Sequence, residues 1–236
     1  MYIYRYNLII LLKGENVMKK KLVAGLLTSA TLLGVCVLGG ANASAAEVDN
    51  ADTEVGIGFT GHTPGTTPGP LEIQWAPLKL DFHNANTVNT VVQDFPEITG
   101  TKKYMVVSDT RAGATDEWKL TAQLTELTNA ANTETLTGAI LKFDTALQGY
   151  QGTNAPEAPG SIVAAGARTA TGFGAGKTVN AGGSAVNLME DGTGSGTYQG
   201  QTAMEMDNIK LEVPANAAEV GEQYSGTLTW SLDDTI

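Results

Sequence analysis

Over several stretches of this 236-residue chain, apolar side chains recur at every second position. That is the period of a strand with one buried face. The clearest cases are "WKLTAQL" at 118–124 and "YSGTLTWSL" at 224–232. In the first, Trp118, Leu120, Ala122 and Leu124 share one side, and Lys119, Thr121 and Gln123 the other. In the second, Tyr224, Gly226, Leu228, Trp230 and Leu232 face one way, against Ser225, Thr227, Thr229 and Ser231. "LEIQW", "LKLDF", "KYMVVSD", "GAILKFD" and the run Ile209, Leu211, Val213 read as further strands. No long apolar pattern at helical spacing competes with them. Gly-, Asn- and Thr-rich stretches such as "QGTNAPEAPG" and "EDGTGSGT" separate them. The expected fold is an all-β antiparallel sandwich with long Gly-rich loops.

The chain divides into four parts. Lys19, Lys20 and Lys21 follow Met18, and an apolar run from Leu22 to Leu38 leads to Ala43-Ser44-Ala45. A basic start, an apolar middle and an Ala-x-Ala exit make residues 18–45 a secretory signal peptide. Residues 1–17 then read as upstream sequence with a non-native start. "GFTGHTPGTTPGP" has few large apolar groups to offset ordering entropy, so residues 46–70 read as a flexible linker. Residues 71–236 are the expected β-domain.

Cleavage after Ala45 changes the chemistry. Cys36, the only cysteine, leaves with the signal peptide, so no disulfide or thiolate site is expected in the mature chain. Arg5, Lys13, Lys19, Lys20, Lys21 and Glu15 leave too, and 9 basic and 24 acidic residues remain, a net charge of −15. Such a surface repels nucleic acid and anionic membrane. No nucleic-acid partner is expected, nor membrane insertion after signal cleavage.

The motifs that suggest chemistry weaken on inspection. "GFGAGKT" at 172–178 has Thr171 where a phosphate-binding loop needs Gly, and reads as a flexible turn. His62, in the linker, and His83, read as part of a strand, are too few for zinc. The carboxylate pairs Asp116-Glu117, Glu190-Asp191 and Asp233-Asp234 read as solvated surface in so acidic a chain. "EDGTGSGT" lacks the alternating ligands of a calcium loop. No catalytic constellation, cofactor or metal site is expected. The two Trp-x-Leu segments admit two roles: a core row, or a surface that stacks on a ligand. Apolar neighbours at i±2 mark an inward face. Burying one indole removes about 150–250 Å² from water, worth at most about 4–6 kcal/mol at roughly 25 cal/mol per Å².

Read in context, "MVVSDTRAGATDEWKLTAQL" resembles the first signature segment of the WxL-domain surface proteins of low-GC Gram-positive bacteria, and "YSGTLTWSLDDT" the second. "GPLEIQWAPLKLDF" resembles the segment that opens their domain. The resemblance covers residues 70 to 236 and places the chain among the small, single-domain members. It implies a non-enzymatic module on the cell surface that binds peptidoglycan noncovalently, with companion cell-surface proteins as further partners. The motif residues carried over by position are Trp118, Leu120, Trp230 and Leu232. An assembly subunit that reaches the wall through a companion protein, or a secreted adhesin for a host or glycan ligand, are the competing readings.

Overall fold

The computed structural model describes residues 47–55, 62–65, 69–112, 116–192 and 196–234. The readings of residues 1–17 and 18–45 lie outside the described residues. Every described regular element is a strand. In chain order they are β1 (Glu47–Val55), β2 (His62–Pro64), β3 (Leu71–Pro77), β4 (Lys79–Leu80), β5 (Gln93–Pro96), β6 (Lys103–Asp109) and β7 (Trp118–Leu124). There follow β8 (Thr128–Asn129), β9 (Ile140–Tyr150), β10 (Ile162–Val163), β11 (Gly174–Asn180), β12 (Val186–Asp191), β13 (Gly200–Val213) and β14 (Tyr224–Asp233). The fold is the expected all-β sandwich of antiparallel sheets.

The first sheet runs β12-β7-β14-β1-β4, with β8 against β14. The second runs β10-β9-β13-β6-β3-β2, with β11 against β9 and β5 against β13. All named pairings are antiparallel except β1 with β4. The "LEIQW" and "LKLDF" stretches are one path that changes sheets at Leu78, β3 in the second sheet and β4 in the first. Inner faces of both sheets meet in one core, with Trp118, Leu120, Leu228 and Trp230 from one side and Ile73, Met105, Phe143 and Met204 from the other. Alternation along β7 and β14 therefore corresponds to core against solvent.

Strand β6 departs from alternation because it is covered on both faces. Val106 joins Tyr150 and Ala203 in a small second cluster, with Trp75 and Ile162 packed against it. The Trp75 indole donates to the Tyr150 hydroxyl at 3.0 Å, and that hydroxyl donates to the Asn154 carbonyl. The segment after β9 thus lies over this patch. Burial raises the Tyr150 pKa, and the bond from Trp75 partly opposes it.

Three expectations need correction. The segment 46–70 is not simply a linker: β1 pairs along its length with β14 inside the first sheet, and β2 pairs with β3. What β1 brings inward is Asp49, Ala51 and Thr53, so it has strand geometry without an apolar row. The "GFGAGKT" turn is mostly strand, because β11 pairs with β9 at the sheet margin. His83 lies in the loop after β4, exposed and with φ of 70°, rather than in a strand.

Candidate functional site

The two Trp-x-Leu segments become neighbours. β7 and β14 pair antiparallel, with Leu120 opposite Leu232, Ala122 opposite Trp230 and Leu124 opposite Leu228. All four motif side chains point inward, and none is more than 1% exposed. The structure brings them together as one row of the core, where they cannot touch a ligand outside the fold.

Trp230 is set between small residues. Ala122 of β7 lies in register on one side and Ala51 of β1 on the other. Its indole N–H donates to the Thr53 hydroxyl at 2.8 Å, and that hydroxyl donates to the Pro77 carbonyl at 2.5 Å. Three strands are thereby tied through one buried hydroxyl. On the outer face, Thr229 donates to the Asp52 carboxylate at 2.7 Å. Gly226, earlier on β14, is required by close approach: a Cβ there would lie 2.7 Å from Leu127 and 3.1 Å from the Glu126 carbonyl oxygen.

Trp118 begins β7 in register with Asp191 of β12. Its indole nitrogen is buried and has no hydrogen-bond partner among the described residues. The chain leading into Trp118 is held by the "SDTR" segment. Arg111 donates from Nε and Nη2 to the two Asp109 oxygens at 3.0 and 2.8 Å, and from Nη2 to the Asp116 carbonyl at 2.5 Å. The Asp109 hydrogen bond raises the Arg111 pKa above its ordinary value, against the cost of desolvation. Asp191, read from sequence as solvated, is buried, accepting from the Thr169 hydroxyl at 2.6 Å and the Tyr198 amide at 3.0 Å. Among the described residues, no group of three or more His, Cys, Asp or Glu side chains is placed to hold a metal ion.

The recess that a ligand could enter lies elsewhere. The loop 81–92 after β4 and the loop 214–223 before β14 enclose a cleft of about 530 Å³, within the usual size range of small-ligand sites. Phe82, Leu127, Leu136 and Leu211 form its floor and belong to the core. Its rim carries Asn84, Asn86, Asn89, Gln93 and Gln223, and its charged groups are Glu219 and Glu222. The Asn216 amide donates to the Asn89 carbonyl at 3.0 Å and joins the two loops. The Glu219 amide donates to the Tyr224 hydroxyl at 3.0 Å, which fixes the second loop to β14. Sequence reading missed this cleft, although "NANTVNTVV" concentrates amides and valines in one short stretch.

A family model described as "WxL domain surface cell wall-binding" matches residues 48–235. No curated protein and no solved structure matches the chain.

Proposed function

The chain belongs to the WxL family of surface cell-wall-binding domains, and on that premise we propose that it attaches to the outside of the cell by binding peptidoglycan noncovalently. The extent of the match carries this reading: it runs from β1 to β14 and takes in both sheets. The buried motif rows serve as scaffold, and contact with the polymer belongs to exposed loops and edges. Attachment of this kind makes and breaks no covalent bond.

Charge sets its conditions. A net charge of −15 beyond residue 45 opposes approach to an anionic wall, and salt screens that opposition. Retention on purified, protein-stripped peptidoglycan should rise as pH falls toward the sequence pI of about 4.5, and should rise with salt at neutral pH. Retention strongest at high pH and low salt would overturn the reading. A second reading, in which a companion surface protein links the chain to the wall, draws support from the aliphatic residues exposed around the cleft. Binding to bare sacculi supports the first, and binding only after a companion is added supports the second.

A further inference from the structure

Two of the large apolar residues that remain exposed meet at the cleft. Leu78, Val91, Val92, Ile98 and Val220 are those found among the described residues, and all but Val220 fall within 78–98. Val91 and Val220 line the cleft from its two loops, at 65% and 86% exposure. Exposed aliphatic groups gathered at a recess mark an interaction surface. The hydrogen bond between Asn216 and Asn89 braces the loops that carry them, so the mouth is formed in advance and little ordering is needed on binding.

We infer that this cleft docks a segment of a partner protein that presents branched aliphatic side chains beside a lysine or arginine. The floor of Phe82, Leu136 and Leu211 continues the apolar surface of the valines inward. A bare sugar would leave those valines facing hydroxyls, whereas an aliphatic side chain covers them. The rim amides of Asn84 and Gln223 match the donors and acceptors of a peptide backbone. Among the described residues that line the cleft, the charged side chains are Glu219 and Glu222, and none is a lysine or arginine. That charge favours a cationic segment and rejects an acidic one. A second copy of this acidic chain is a poor occupant for the same reason. The inference rests on the companion-protein reading, and the peptidoglycan reading stands or falls separately.

The test titrates the protein with a blocked peptide, Lys-Val-Lys-Ile-Lys-Val, and follows backbone amide resonances. Saturable shifts confined to residues 82–93 and 214–224 are expected. Exchanging the lysines for glutamates should weaken binding by about tenfold or more. Exchanging the valines and isoleucine for serines should remove saturable binding. The double variant Val91→Ser, Val220→Ser should weaken the lysine peptide by roughly tenfold, with Tm and retention on protein-stripped sacculi unchanged. Equal binding of the glutamate peptide, no saturable binding of any of the three peptides, or muropeptide fragments occupying the same residues at lower concentration would overturn the inference. So would a loss of sacculus retention in the double variant, which would make the cleft a wall site.

Discussion

Trp118 and Trp230 sit in the same local sequence pattern, on adjacent strands, with the same burial, yet they are held differently. Trp230 lies inside the first sheet between β7 and β1, flanked in register by two alanines, with its indole N–H bonded to Thr53. Trp118 opens β7 beside Asp191, and its indole N–H has no partner among the described residues. A buried donor without a partner carries a desolvation cost of about 1–3 kcal/mol. The motif thus specifies burial of an indole and a leucine and nothing about the polar atom. That atom depends on what the neighbouring strand supplies. The neighbour that serves Trp230 is β1, which also carries β4 at the edge of this sheet.

The strongest way to break this contrast is to remove β1. A chain trimmed to begin at Gly56 loses the partner of β14 from Glu47 to Val55, along with Thr53. It should show no cooperative thermal transition, because one long edge of β14 and the Trp230 N–H lose their partners together. A sharp transition at the parent Tm would show that β1 is dispensable and that Trp230 needs nothing from it.

Paired substitutions sharpen the contrast. Trp230→Phe removes volume and the bond that the Thr53 hydroxyl accepts from the indole, leaving its bond to the Pro77 carbonyl, and should cost about 2–4 kcal/mol in urea unfolding. Trp118→Phe also leaves a gap but deletes an unbonded donor, so its cost should be lower, about 1–2 kcal/mol. Equal losses would mean that the two indoles are supported alike. Thr53→Val keeps the shape and makes Trp230 resemble Trp118, with an expected loss of about 1–3 kcal/mol. In the double variant Thr53→Val, Trp230→Phe the two losses should add to less than their sum, and strict additivity would show that the hydroxyl and the indole are uncoupled.

These residues also show what the sequence made legible. β7 and β14 were readable because each alternates large apolar groups with polar ones over seven or more residues. Their pairing was not, since no local signal says which strands are neighbours. β1 was unreadable for a chemical reason. Its inward positions Asp49, Ala51 and Thr53 bond or make room rather than fill space: Asp49 accepts the Ile73 amide at 2.7 Å, Thr53 bridges Trp230 and Pro77, and Ala51 lies beside the indole. β13 was half read: Ile209, Leu211 and Val213 alternate, but Thr202 to Met206 are buried throughout and hide the period. The cleft escaped notice because it needs two loops more than 120 residues apart, joined by a single backbone bond from Asn216 to Asn89.

The smallest expected effect separates neutral support from charged support. The bonds that hold Trp230 run through an indole, a hydroxyl and a carbonyl, none of which titrates between acid and neutral pH. On the second sheet, the Asp144 carboxylate accepts from Asn208 at 2.6 Å and from the Gly176 amide at 2.8 Å, tying the β13 bulge and β11 to β9. Those bonds, the one from Asn208 foremost, hold its pKa below the ordinary carboxylate value. A depressed carboxylate binds fewer protons when folded than when unfolded. Its stabilisation is therefore complete above the ordinary carboxylate range and is lost as pH falls through the lowered value. The site is close to solvent, so the effect is small. The Tm difference between the parent and Asp144→Asn should be measurable at neutral pH and shrink in acid, while the difference for Thr53→Val stays constant across the same range. A constant Asp144→Asn difference would show that the charge at Asp144 adds nothing to stability, and a Thr53→Val difference that follows pH would show that the support of Trp230 is not neutral.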